Sequence, residues 1–267
     1  MIRPPAVAGR FYSSDPVELA RDVDGYIHGA GENITALGCV VPHAGYIYSG
    51  HVAGAVYSSL QIPHRCILLG PRHYPRGESL AILTEGTWQT PLGEAQIDSA
   101  LARELAHACP RLREDAVAHE SEHSLEVQLP FLQRLVRDFR FVPVVLGTDR
   151  YPVLEDLGRA VARVVAAQTA PVLVIASSDM NHYETDAITR VKDQMAIARI
   201  LELDPRGLYD TVRSEGITMC GYAATVAMLA AVIELGAKQA QLIRYATSGD
   251  ISGDYDKVVG YAGIVIT

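Results

Sequence analysis

Short β-rich runs alternate with longer segments of helical period along most of this chain, and that alternation limits the fold more than any other feature. Residues 37–42 precede a helical stretch at 50–60, and 65–70 precede one at 98–108. The pairing recurs at 140–146 with 152–168 and at 171–176 with 186–203. Parallel strands need long crossovers, usually helices, so the pattern predicts an α/β layered sandwich whose mostly parallel or mixed central sheet is flanked by helices. Within the 70–98 interval, Ala81–Thr84, Thr87–Thr90 and Glu94–Ile97 predict added antiparallel strands, with Pro91-Leu92-Gly93 as a turn. The last third predicts a helix near 220–235, a strand near 240–246 and a closing strand at 258–266. No internal repeat, low-complexity tract or long linker interrupts the pattern, so one domain over residues 1–267 is expected.

Composition narrows the function classes. The 267 residues are 49% hydrophobic and 20% charged, enough apolar material for one large core. With 31 acidic against 23 basic residues the net charge is −8, which argues against nucleic acid as a partner, because phosphate binding needs basic surface. No apolar run reaches the roughly 18 residues of a membrane span, and Met1-Ile2-Arg3-Pro4-Pro5 lacks the apolar stretch of a signal peptide. A cytoplasmic protein without membrane association is expected. The cysteines at 39, 66, 109 and 220 are too few and too scattered for a disulfide framework, and no C-x-x-C pair suggests a zinc ribbon. Cys39, Cys66 and Cys109 read as core residues.

Chemistry gathers where the strands of an α/β sheet end. Strand 37–42 runs into Pro42-His43-Ala44-Gly45, strand 65–70 into Pro71-Arg72-His73, and strand 171–176 into Ser177-Ser178-Asp179-Met180-Asn181-His182. One loop histidine is ordinarily surface; three at three strand ends suggest a shared site. Cys220 lies between Gly216-Ile217-Thr218-Met219 and an apolar helical run, with Thr218 as a plausible N-cap. That would place Cys220 in the first helical turn, where the helix dipole lowers a thiol pKa and favours a metal-binding thiolate. His43, His73 and Cys220 therefore form the expected metal set. Two imidazoles with one carboxylate hold iron in non-haem oxygenases; with sulfur as the anion, copper and zinc compete on ligand type, and Met219 raises a blue-copper reading that the α/β pattern disfavours.

Three other features bear on function. His119-Glu120-Ser121-Glu122-His123 matches the letters of the H-E-x-x-H zinc-protease signature, but that motif needs mid-helix, whereas the apolar helix begins only at Leu125. Asp179 and His182 could act as an acid/base pair, the carboxylate orienting the imidazole; otherwise Asp179 caps a following helix and His182 faces water. The glycine-bearing segments 70–73 and 248–253 match no phosphate-loop pattern, so no nucleotide site is expected.

Pro42-His-Ala-Gly-Tyr-Ile-Tyr-Ser-Gly50, Gly70-Pro-Arg-His73, Glu122-His-Ser-Leu-Glu126, Ser177-Ser-Asp-Met-Asn-His182, Thr218-Met-Cys-Gly221 and Tyr245-Ala-Thr-Ser-Gly-Asp250 resemble, in order, the motifs of the Memo family. Ala8-Gly-Arg-Phe-Tyr12 and Val259-Gly-Tyr261 extend the resemblance over nearly the whole chain. The prokaryotic branch is called AmmeMemoRadiSam system protein B, which implies radical-SAM and AMMECR-type partner proteins. The family is similar in fold to the class III extradiol ring-cleaving dioxygenases, which hold ferrous iron with two histidines and a glutamate. By that resemblance His43 and His73 take the histidine positions and Cys220 stands where the dioxygenases have their carboxylate, a departure that bears directly on ordinary catechol cleavage. His182 falls at the position of the catalytic base, with Asp179 in the same motif, and His123 at that of a second active-site histidine. The resemblance implies an iron centre, with copper or zinc as alternatives, and oxygen-dependent redox activity on a small, aromatic or hydroxylated substrate. The alternative is a non-catalytic metal- or peptide-binding module, or a copper-binding protein, acting with the radical-SAM system.

Overall fold

The computed structural model describes residues 1–27 and 33–267. The first half contains β1 (Ile2–Arg3), α1 (Pro16–Tyr26), β2 (Gly38–Val41), α2 (Tyr46–Ser59), β3 (Arg65–Pro71), β4 (Leu80–Ile82), β5 (Thr87–Thr90), β6 (Gly93–Ile97), α3 (Ser99–Ala108), β7 (Arg113–Glu114) and α4 (Val117–Glu120). A 3-10 turn (Glu126–Gln128) leads into α5 (Leu129–Leu135), β8 (Arg140–Leu146), α6 (Tyr151–Ala166), β9 (Leu173–Ser177) and β10 (His182–Glu184). The chain closes with α7 (Asp186–Leu201), α8 (Pro205–Ser214), α9 (Tyr222–Glu234), β11 (Ala240–Thr247), α10 (Gly249–Ser252) and β12 (Val258–Ile266). Among the described residues no helix is long and apolar enough to cross a membrane.

The β/α alternation becomes one large mixed sheet. Its centre is parallel, in the spatial order β8, β3, β9, β2. These strands are Val-, Ile- and Leu-rich, and Val40, Ile67, Leu68, Val142, Val174 and Ile175 are wholly buried, as parallel strands covered on both faces require. β12 adds antiparallel beside β2, and β11 and β10 pair with β12 in turn. At the other side β6 runs parallel to the start of β8 while β4 runs antiparallel to its end. The expected insert is thus a hairpin, β5 with β6, plus the separate strand β4.

Helices cover both faces. A side chain at Gly38 of β2 would meet Met228 and Val232, so α9 lies on that face. Gly38 pairs with Ile266, and strand alternation turns Gly263 to the opposite face, where a side chain would meet Val52 and Val56 of α2. Cys39, Cys66 and Cys109 are buried core thiols, as expected.

Two of the boundaries that differ from expectation bear on the site. The helix after the first central strand begins at Tyr46, not residue 50, because Gly45 breaks the loop and Tyr46 turns inward, its hydroxyl donating to the Val127 carbonyl. The helix expected from residue 220 begins at Tyr222. The short helices α1 and α8 also escaped the periodicity; Asp15 and Asp204 cap them, each followed by a proline suited to the first helical turn.

α6 packs closely on α9, where a Cβ at Gly158 would sit 2.6 Å from the Ala227 carbonyl oxygen. Gly158→Val is therefore expected to lower stability by about 1–3 kcal/mol, read as a reduced urea midpoint with an unchanged slope.

Candidate metal centre

Because β3, β9 and β2 are adjacent and parallel, their carboxyl ends share one edge, and the segments carrying His73, Asp179 and His43 leave that edge side by side. Cys220 reaches the same edge from the turn ahead of α9. Gly221 makes this approach possible: a Cβ there would collide with the Ser177 carbonyl oxygen. The Gly221 amide donates to Ser178 Oγ at 3.0 Å, and the Asp179 amide donates to Cys220 Sγ at 3.3 Å.

This corrects two expectations for Cys220. The residue stands just before the N-cap Gly221 and not in the first turn, and Thr218 is no cap; its hydroxyl oxygen accepts from the His182 amide at 2.7 Å. Nor is the thiol acidified. Burial, then the nearby Asp179 carboxyl, push it well above the usual thiol range, against the opposing pull of the Asp179 and Gly221 amides. A neutral thiol can donate to His43 Nε2, 3.2 Å away.

The His43 ring is set by a chain of hydrogen bonds whose directions follow from its ends. The Pro42 carbonyl can only accept, so the Gln128 atom beside it at 2.9 Å is the amide nitrogen, which also donates to Ser177 Oγ at 2.8 Å. Gln128 Oε1 accepts from the Tyr57 hydroxyl. Ser177 spends its one proton on the Ser124 carbonyl at 2.6 Å, so toward His43 Nδ1, 3.0 Å away, it can only accept. His43 is therefore protonated at Nδ1 and carries its lone pair on Nε2, facing Cys220. Burial, then the proximity of His73, depress its pKa well below the ordinary value and keep the ring neutral.

His73 is held by a different partner. Its Nδ1 donates to Glu122 Oε1 at 2.8 Å, which leaves Nε2 as the ring atom available to a ligand. The Glu122 carboxylate also accepts the amides of His73, His123 and Ser124. Burial pushes that carboxyl up, but the hydrogen bond and charge of His73, with the His123 charge and the Ser124 amide, outweigh it and bring the pKa to about 2. One potential ligand atom from each of His43, His73 and Cys220 lies within 4.8 Å of the others. Bonds of about 2.0 Å to nitrogen and 2.3 Å to sulfur limit the separation of two ligand atoms to about 4.3 Å, so this donor set can hold a metal after small side-chain adjustments.

The remaining expected residues join the same site with altered roles. Asp179 Oδ1 accepts the amides of His43 and Ala44 at 2.7 and 3.2 Å, so this carboxyl holds the β2–α2 loop. It does not cap a helix; α7 is capped by Thr185. Burial raises its pKa, with His182 and the His43 amide opposing. His182 lies at the start of β10, and its Nδ1 donates to the Thr218 carbonyl at 3.0 Å. Its orientation thus comes from Thr218, not from Asp179, although Asp179, His182 and Cys220 also bring ligand atoms within 4.8 Å. His123 stacks on His73 at 4.4 Å with Phe11 on its other flank at 4.7 Å, and burial, then His43 and His73, lower its pKa to about 4.

The protease-like letters separate in space. His119 sits in the four-residue α4, buried against Trp88, and the chain turns before His123. Glu122, Ser177, Gln128 and Thr218 were not singled out as site residues. Glu122 carries a sequence signal, as the first residue of the motif Glu122-His-Ser-Leu-Glu126, and the H-E-x-x-H letters that overlap it mask that signal. Glu122→Gln is expected to weaken divalent-metal binding by about 10–100-fold in chelator competition, because it removes the charge that orients His73.

The chain matches the family model described as Memo-like protein over residues 3–265. It is 42% identical to a MEMO1 family protein of Methanopyrus kandleri, covering 99% of each chain, and 41% identical to one of Pyrobaculum arsenaticum, covering 99% of this chain and 98% of that one. The fold resembles the crystal structure of an uncharacterized protein from Escherichia coli K12, with a TM-score of 0.58 at 14% identity over 85% of this chain and 98% of that one. With its motifs spread from the first strand to the last and the match spanning nearly every residue, the chain belongs to the Memo family.

Proposed function

We propose that His43, His73 and Cys220 hold a ferrous ion and that the protein is an oxygen-dependent redox enzyme acting on a small aromatic or hydroxylated substrate. The observation that supports this reading is the convergence of His43, His73 and Cys220, each with one potential ligand atom within 4.8 Å of the others, while each imidazole spends Nδ1 on a hydrogen bond and keeps Nε2 for a cation. Iron so held supplies Lewis acidity and coordination positions for oxygen and substrate. The set is open on one side: the His73 side chain keeps 30% of its surface exposed.

The surrounding residues supply proton handling. Thr218 fixes the His182 proton on Nδ1, so Nε2 is free to take a proton from a substrate hydroxyl. Asp179, beside both His182 and Cys220, favours the imidazolium formed by that transfer. His123 stays neutral at physiological pH and can steady charge developing on a substrate oxygen. Glu122 remains ionised and keeps His73 in one tautomer throughout.

Two measurements test this. Anaerobic loading with ferrous iron followed by oxygen-uptake assays over a panel of catechols and related phenols should reveal substrate-stimulated uptake that is lost in Cys220→Ala; full activity in that variant would overturn the assignment. Calorimetry in buffers of different ionisation enthalpy should register about one proton released per metal at neutral pH, because His43 is already neutral and the Cys220 thiol is protonated. Cys220→Ser should release none.

A further inference from the structure

Asp193 of α7 is a wholly buried carboxyl that makes no ion pair among the described residues and lies outside the metal set. Its Oδ1 accepts the Asn181 amide at 2.8 Å, and its Oδ2 accepts the Tyr245 hydroxyl at 2.7 Å. β12 meets it with bare backbone, since a Cβ at Gly260 would fall on Oδ2. From Asn181 the contacts continue to the site. Asn181 Oδ1 accepts from the Thr218 amide and hydroxyl, each at 3.0 Å. The Thr218 carbonyl then accepts from His182 Nδ1, and Cys220 follows two residues later.

We infer that Asp193 is a positioning residue that sets His182 and the Cys220 turn through Asn181 and Thr218. The inference rests on reading His182 as the group that moves a proton. Four groups, on β11, α7, β10 and the loop just before β10, bear on the carboxyl's charge. Burial raises its pKa to about 7; the Tyr245 hydroxyl of β11, the Asn181 amide and Arg190 of α7 oppose this, and Glu184 of β10 adds to it. Both forms are therefore populated near neutrality. The ionised form accepts from both partners. The protonated form must donate from Oδ2, which reverses the Tyr245 bond and weakens the pull on the Asn181 amide, and this change passes along the polarised chain to Thr218 and His182.

The test uses the metal-free chain, so its outcome is independent of the metal and of turnover. Proton–nitrogen correlation spectra of the histidine rings are followed across neutral pH, with His182 assigned by loss of its signal in His182→Gln. The wild-type His182 signal should show a second inflection besides its own titration. Asp193→Asn, which accepts from Asn181 and donates to Tyr245 like the protonated acid, should abolish that inflection. Tyr245→Phe removes a donor that stabilises the carboxylate and should move the inflection upward by about 1 unit. If Asp193→Asn fails to fold, Tyr245→Phe decides the matter. A single inflection in wild type, or an inflection unmoved by either variant, overturns the inference even if iron-dependent oxygen uptake is found; absence of that uptake with the inflection present leaves Asp193 as the residue that sets His182.

Discussion

Parallel pairing of β8, β3, β9 and β2 is the constraint from which the site follows. A parallel ladder runs neighbouring strands in one direction and so places their carboxyl ends along one edge. Three sequence-distant segments therefore emerge within a few ångströms of one another. Ser177, the last residue of β9, reaches across to β2 and to the Ser124 loop, so its hydroxyl ties the end of the sheet to the His43 ring.

A second buried network anchors the loop that supplies Glu122. The Arg3 guanidinium donates to the His119 and Glu122 carbonyls and to the Glu126 carboxylate at 2.6 Å, and lies over the Trp88 ring. Glu126 also accepts from Ala6, Val7 and the Tyr12 hydroxyl, so its charge is fully engaged. Removing one partner of such a pair costs about 3–5 kcal/mol because the other charge stays buried. The residues near the amino terminus thereby hold the loop on which His73 depends, although they touch no candidate ligand.

The electrostatics of the centre are set by burial and by Glu122. His43 and His123 are neutral because burial and neighbouring imidazoles penalise protonation, and Glu122 supplies a permanent negative charge behind His73. Burial, then the Asp179 carboxyl, keep the Cys220 thiol protonated, so under the proposed function an incoming cation would have to displace that proton to create the thiolate.

The alternation of apolar runs determined the α/β class and most central elements, because burial on both faces of a parallel strand leaves a compositional mark that needs no tertiary information. It also placed His43 and His73 at strand ends. α8 follows another helix and α1 only the two-residue β1, so neither fits the strand-then-helix alternation, and local capping chemistry alone marks them. The protonation of Cys220, the partner that orients His182 and the service of Glu122 were decided only in three dimensions. Each depends on which groups from remote segments share a low-dielectric pocket, and neither residue type nor spacing encodes that distance. The sequence therefore determined which side chains could meet, while tertiary packing decided which hydrogen bond each one spends and which lone pair it keeps.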